Sequence, residues 1–179
     1  MNNHAREIAA IDFLTVPTVN FRIVICFLVL HHHQRIVLHF NVTSHPTQHW
    51  TAQQIVEAFP YDTAPRYLLR DRDRIYGSCF GNRVRGMGIA EVLTAPRSPW
   101  QSPFVERLIG SIRRECLDHV LVINEAHLRR VLREYFAYYH ESRPHQSLEG
   151  NAPRPREIEP PSQGRTSPGR SNRGETSPR

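Results

Sequence analysis

The sequence contains no lysine: all 23 of its basic residues are arginines, against 17 acidic residues, which gives a net charge of +6. Coding bias in a GC-rich genome is one explanation for the missing lysine. The positive charge itself still indicates a polyanionic partner, because the guanidinium group binds phosphate bidentately and stays charged. The charge therefore suggests a polyanion without identifying it.

Cysteines and long apolar runs are also scarce. The three cysteines, Cys26, Cys79 and Cys116, are far apart and form no C-x-x-C pair, which excludes a disulfide framework and a zinc ribbon. The longest apolar run, residues 23–30, is much shorter than the roughly 20 residues of a membrane-spanning helix. The first residues lack the apolar segment of a signal peptide. We expect a soluble, cytoplasmic protein with no membrane partner.

The composition changes near residue 150. Residues 151–179 are rich in proline, arginine and serine and have too few apolar side chains to form a core, so we predict a disordered tail. This tail has six arginines and three glutamates, a net charge of +3 and half of the total. The predicted folded domain, residues 1–150, is therefore only mildly basic.

The apolar pattern of the first 150 residues predicts a mixed α/β architecture. Residues 8–16, 22–31 and 34–42 have the composition of strands and are joined by short links, which predicts an antiparallel meander. The three consecutive histidines from His31 are expected in a turn. Further predicted elements are a helix at 47–59, a strand at 66–70, a weak helix at 80–87, a strand at 90–94, and helices at 103–120 and 124–141.

Three carboxylates lie at the strands and the helix of this pattern in positions that would suit a metal site. Asp12 lies inside the first apolar strand, Asp71 follows the fourth, and Glu106 lies in the first turn of the helix that begins at residue 103. An acid within a core strand is costly unless it is paired or binds metal. Three converging carboxylates would suit two Mg²⁺ ions, which can drive phosphodiester chemistry. Alternatively, Asp12 is a strand-end acid and Glu106 merely complements its helix dipole.

Five segments in order resemble the integrase catalytic core of DDE insertion-sequence transposases, which is of the retroviral-integrase type. They are AIDFLTVPT, RIVLHFNVTSHPTQHWTAQQIVEAFP, YLLRDRDRIYG, APRSPWQSPFVERLIGSIRRECLDHV and YYHESRPHQSL, and they extend over residues 8–155. The resemblance implies an RNase H-like fold: three antiparallel strands, two more strands in the same mixed sheet, and flanking helices. It also implies a catalytic, metal-binding triad of Asp12, Asp71 and Glu106 with two Mg²⁺ ions, for which Mn²⁺ can substitute. The spacing fits, with 58 residues between Asp12 and Asp71 and 34 between Asp71 and Glu106.

The activity implied by the resemblance is DNA strand transfer. A transposon end is hydrolysed, and its freed 3′-hydroxyl then attacks target DNA, in a protein that forms homo-oligomers when active. Two alternatives stay open: a catalytically silent remnant that only binds DNA or dimerises, and a plain nuclease of the same fold. Ser102 stands where the family commonly has asparagine, and Asp12 lies too near the first residue for an upstream DNA-recognition domain. We therefore expect an isolated core from a truncated or frame-disrupted copy of an element.

Two local choices remain within this hypothesis. The second acid is Asp71 or Asp73, and the family pattern places it directly at the strand end, which favours Asp71 and makes Asp73 a loop residue paired with an arginine. On the helix of Glu106, residues three, four and seven apart share a face. Gly110, Arg113 and Arg114 therefore lie on the same face as Glu106. Arg107, Arg113 and Arg114 are predicted to contact DNA phosphates. A simple solvated face is the alternative.

Two further groups of residues are assigned structural roles. His45 and His49 are four residues apart, but no cysteine or third histidine completes a tetrahedral zinc site. The aromatic residues at 135, 136, 138 and 139 could stack on bases, but packing of a helix against the sheet explains most of them.

Overall fold

The computed structural model describes residues 7–61, 63–94 and 103–141, and these residues contain one five-stranded sheet. Its strands lie in the order β3-β2-β1-β4-β5. β2 pairs antiparallel with β1 and β3, whereas β4 runs parallel to β1 and β5. The predicted meander and mixed sheet are therefore confirmed. The strands are β1 (Ile8–Pro17), β2 (Ile23–His31), β3 (Val37–Thr43), β4 (Tyr67–Arg70) and β5 (Ala90–Leu93).

Helices cover both faces of the sheet. Successive residues of a strand point to opposite faces, so β1 contributes to two separate cores. Its residues Ala10, Leu14 and Val16 pack with α3 and α4, and Ala9 and Ile11 pack with α1 and α2. Asp12 alternates with Ala10 and Leu14, which places it on the α3 side. The helices are α1 (Gln48–Ala58), α2 (Gly77–Gly86), α3 (Pro103–Glu115) and α4 (Glu125–Glu141), with short 3₁₀ turns at Arg74–Tyr76 and Leu117–His119.

Three element boundaries differ from the prediction by three residues or more. α3 ends at Glu115 rather than at residue 120, because the His119 ring donates to the Arg114 carbonyl at 3.0 Å and Leu117 turns into the core. α2 begins at Gly77 rather than at residue 80 and follows a 3₁₀ turn. β3 begins three residues late, because residues 32–34 form a turn and Arg35 has a positive φ of 60°.

The structural roles predicted for the aromatic and histidine clusters are largely confirmed. Tyr135, Phe136 and Tyr139 are buried, whereas Tyr138 is 49% exposed. His31 ends β2 and the next two histidines lie in a turn. Within the described ranges, no helix has the length and apolar character needed to cross a membrane. Ser102 and the predicted tail at 151–179 lie outside the described residues.

Candidate active site

The pairing of β1 with β4 brings two of the three predicted acids to neighbouring positions. Ala10 of β1 lies opposite Leu69 of β4 in a parallel register, and both side chains belong to the core beneath α3. Two residues further along each strand come Asp12 and Asp71, which therefore emerge on the same face of the sheet. α3 packs its buried Val105 and Leu108 against this core, and Glu106 is in its first turn.

The pKa of Asp12 is influenced by the charges of the other acids. The pKa of this half-buried carboxyl group is raised from 3.8 to about 7, and burial is the largest cause. The negative charges of Asp71, Glu106 and Asp73 contribute to this rise, in that order, whereas the Phe13 N–H, which donates to Asp12 Oδ1 at 2.7 Å, opposes it. Asp12 thus lies in the field of both other members of the predicted triad.

The acids are adjacent without forming a closed coordination sphere. Asp71 and Glu106 are exposed, unlike Asp12. Across the part of the chain that the structure describes, no three histidine, cysteine or acidic side chains are grouped closely enough to hold a metal ion. The three predicted acids share one region and one electrostatic field, and a metal ion would have to draw them together.

The arginine beside Asp71 is already paired with another acid. Arg70 Nη2 lies 2.6 Å from Glu91 Oε2, in a pair that is largely buried, and Arg70 also donates to the backbone carbonyl of Asp71 at 2.9 Å. Among the described arginines and histidines, none lies within 4.0 Å of a carboxylate oxygen of the three predicted acids. The donor set is thus all carboxylate and has no cationic partner among the residues that the structure describes, which fits a hard divalent cation.

Asp73 has a different role from that of Asp71. Its carboxylate accepts the Ile75 N–H at 3.0 Å and caps the 3₁₀ turn, while its own N–H donates to Asp71 Oδ1 at 3.2 Å. The predicted arginine pair is wrong: the described residues place no arginine within salt-bridge distance of Asp73. The short side chain of Asp73 instead accepts a hydrogen bond from a free N–H group of the turn that follows it.

The exposed side of α3 carries the predicted basic residues. Glu106, Arg107, Arg113 and Arg114 are exposed, on the side of the helix away from its buried apolar residues. Arg113 donates to the Thr15 carbonyl of β1 at 3.4 Å. The guanidinium group of Arg114 lies over Gly110, where an added Cβ would be 3.2 Å from Nη1. Arg113 therefore lies beside β1, the strand that carries Asp12.

Tyr76 lies within the field of Asp12 and Asp71, and no role was predicted for it from the sequence. Its side chain is 1% exposed, and its ring packs against Phe13 and Phe80 at centroid distances of 5.1 and 4.8 Å. Its hydroxyl group has no hydrogen-bond partner among the described residues. Burial and then the charges of Asp12 and Asp71 raise the pKa of this hydroxyl well above its usual value. The only sequence signal was the Ile75-Tyr76 dipeptide that follows the acidic loop.

Replacing Tyr76 with phenylalanine is expected to stabilise the fold by about 1 kcal/mol, because the change removes a buried hydroxyl without a partner and keeps the ring packing. Thermal unfolding should show an increase in Tm of about 2–4 °C. Tyr135→Phe is the matched control, since the Tyr135 hydroxyl donates to Glu115 Oε2 at 2.9 Å and its loss should lower Tm. A lower Tm for Tyr76→Phe as well would mean that its hydroxyl is paired in solution.

Comparisons with known proteins agree with the predicted family resemblance. Residues 87–153 match the family model described as integrase core domain. An insertion-element protein, the IS476 uncharacterized 39.2 kDa protein of Xanthomonas euvesicatoria, is 24% identical over 139 residues, which are 77% of this chain and 40% of that protein. The chain thus spans less than half of the length of this relative.

Solved structures share the fold at low sequence identity. The HTLV-2 integrase catalytic core domain, in complex with magnesium and in dimeric form, superposes with a TM-score of 0.61 at 12% identity, over 83% of this chain and 93% of that one. The Mos1 transposase catalytic domain with raltegravir and Mn gives 0.64 at 13% identity, over 76% and 72%. The predicted resemblance and the RNase H-like fold of integrase and transposase cores are therefore confirmed.

Proposed function

We propose that this chain is the catalytic core of a transposase, which cleaves the ends of a DNA element and joins them to target DNA in a metal-dependent reaction. The observation that carries the proposal is the set of three carboxylates, those of Asp12, Asp71 and Glu106. This set shares one electrostatic field and has no cationic partner in the described residues. It lies on a fold shared with cores whose structures contain magnesium or manganese. Asp12, Asp71 and Glu106 are the proposed catalytic residues and metal ligands.

The proton affinity of Asp12 indicates why a cation belongs there. The pKa of about 7 reflects a carboxylate that is half-buried among like charges, an arrangement that is unfavourable once every acid is ionised. Two Mg²⁺ or Mn²⁺ ions held by the three acids would compensate this charge and, when bound, supply Lewis-acid stabilisation to the attacking and leaving oxygens of a phosphodiester. In this proposal the three acids determine where the metal ions bind, and therefore where the DNA phosphate reacts.

DNA binding is assigned to the exposed face of α3. Arg107, Arg113 and Arg114 are exposed there, close to Glu106 in the helix, and each can bind a backbone phosphate without reading the base sequence. Phosphate contacts of this kind position DNA over the acids. Pairing two element ends requires more than one copy of the core, so we propose that the active form is a homo-oligomer.

The test uses the purified full chain, a supercoiled target plasmid, and short duplexes with recessed 3′-hydroxyl ends taken from the DNA that flanks its gene. With Mg²⁺ or Mn²⁺ we expect the duplexes to become covalently joined to the plasmid, and with EDTA we expect no joining. Gel separation of labelled duplexes from plasmid-linked label measures the product. A duplex with a 3′-dideoxy end is the matched control, because it lacks the attacking hydroxyl group.

The other candidate functions give different products in the same assay. Metal-dependent nicking of the plasmid without any joining would indicate a plain nuclease of the same fold. A folded protein that binds the duplexes but neither nicks nor joins in the presence of metal would indicate a catalytically silent remnant. Either result would overturn the proposed strand transfer.

A further inference from the structure

A pocket lies between the first turn of α1 and the length of α2. It has a volume of about 550 Å³ and is lined by Gln48, His49, Ser78, Cys79, Asn82, Arg83, Gly86 and Met87. Within it, Cys79 Sγ lies 3.3 Å from His49 Nδ1, close enough for a hydrogen bond between thiol and imidazole. The proposed DNA chemistry uses neither residue.

The backbone holds this pair together although the two residues are 30 positions apart in the chain. The Cys79 N–H donates to Gln48 Oε1 at 3.2 Å, which ties the start of α2 to the residue before His49. The Gln48 side chain also packs directly on Gly77, where an added Cβ would lie 2.5 Å from Oε1. The chain segments that carry the thiol and the imidazole are therefore tied together next to the pair.

The pair has the parts of an activated nucleophile. His49 Nδ1 can accept the thiol proton while the sulfur attacks, which is the general-base arrangement of nucleophilic catalysis. Cys79 is the third residue of α2, at the end of the helix where the partial charge is positive, and Arg83 one turn later lines the same pocket. His49 is exposed and Cys79 is partly exposed, so that a small reagent can reach the sulfur.

The other two cysteines have none of these features. Cys26 is completely buried in the core, which raises the pKa of its thiol far above the usual value. Partial burial and the negative charge of Glu134 raise the pKa of Cys116. Because thiolates rather than thiols are the nucleophiles, both residues are expected to react slowly. They serve as internal controls in the same molecule.

We propose that Cys79 and His49 form a reactive thiol site, which hydrogen peroxide oxidises to a sulfenic acid at Cys79. The sulfur attacks one peroxide oxygen, so that an S–O bond forms and the O–O bond breaks. His49 takes the thiol proton and passes it to the departing hydroxide, which leaves as water. Sulfur loses two electrons and the peroxide gains them. The site is chemically independent of the metal-binding acids.

Alkylation by iodoacetamide tests the nucleophile. The folded full chain is treated at pH 7, and mass spectrometry of its peptides gives the modification rate of each cysteine. We expect Cys79 to react at least tenfold faster than Cys26 and Cys116, and His49→Asn to slow Cys79 by roughly tenfold or more. His45→Asn, which changes an exposed histidine without a bond to the thiol, should have no effect. In urea the three rates should converge.

Peroxide treatment followed by dimedone trapping tests the oxidation itself. A dimedone adduct on Cys79 that is absent from Cys116 and reduced in His49→Asn is the expected result. Equal rates at Cys79 and Cys116, or an unchanged rate in a folded His49→Asn protein, would overturn the activated pair. Fast alkylation of Cys79 without any dimedone adduct would overturn the oxidation. Near-UV circular dichroism of each variant verifies that the fold is retained.

Discussion

Replacing Asp71 with asparagine is expected to abolish metal-dependent joining of DNA ends while DNA binding persists. Asparagine keeps the size of the side chain and an oxygen that can accept the Asp73 N–H, which Asp71 accepts at 3.2 Å. It removes the negative charge that a divalent cation requires. A loss of about 4 kcal/mol of transition-state stabilisation corresponds to a rate reduction of about a thousandfold. Joined product per unit time measures this effect.

Asp73→Asn provides the matched control for Asp71→Asn. Asp73 caps the 3₁₀ turn through the Ile75 N–H, and asparagine caps as well as aspartate does, so we expect nearly unchanged activity and stability. Fluorescence anisotropy with a labelled duplex should give the same Kd for both variants and the unchanged protein. If Asp73→Asn loses the activity and Asp71→Asn keeps it, the assignment of the second acid is wrong.

The meander and the face of β1 that carries Asp12 could be predicted from local alternation, whereas the strand pairing that brings Asp71 beside Asp12 was implied by the family resemblance. β1 places Ala10, Asp12 and Leu14 on one face by its period of two, and a strand that runs parallel to β1 brings Asp71 to the same edge. The exposed side of α3 followed in the same way from its helical period. The alternation within β1 and the helical period of α3 need only the order and spacing of residues.

The features that could not be predicted arise from contacts between distant segments. The end of α3 depends on a bond between the His119 ring and the Arg114 carbonyl, and no propensity encodes that bond. The histidine at position 49 was considered only as a zinc ligand, because the sequence does not reveal that Cys79 lies 3.3 Å from its ring. The burial of Tyr76 depends on packing among Phe13, Phe80 and the guanidinium group of Arg70.

The largest expected effect on stability comes from Asp12. In an unfolded chain this carboxyl group has a pKa near 3.8, whereas burial and neighbouring acids raise its pKa to about 7 in the folded protein. Between these pH values the folded protein holds a proton that the unfolded chain has released. Stability therefore decreases as the pH rises through this window, by at most about 4 kcal/mol, and stays low above pH 7.

Asp12→Asn should remove this dependence, because asparagine stays neutral while its oxygen can still accept the Phe13 N–H that Asp12 accepts at 2.7 Å. In EDTA, urea unfolding should show little difference from the unchanged protein near pH 4 and a growing stabilisation up to pH 8. Asp118→Asn, at an exposed acid in the turn after α3, is the control and should follow the unchanged protein. A variant that is equally stabilised or destabilised at every pH would contradict the raised pKa.

Mg²⁺ should stabilise the unchanged protein and leave Asp12→Asn unaffected, which is the reverse of the order expected in EDTA. At pH 8 the ionised Asp12 is repelled by Asp71 and Glu106, and bound Mg²⁺ would turn this repulsion into attraction, so Mg²⁺ should raise the Tm of the unchanged protein. At pH 6 the increase should be smaller, because the cation must first displace the proton on Asp12. Asp12→Asn should show no increase at either pH and no joining activity, although it is the more stable protein without metal. Such a result would mean that Asp12 destabilises the metal-free protein and is needed for the metal to bind. Equal Mg²⁺ stabilisation of both proteins would place the cation elsewhere.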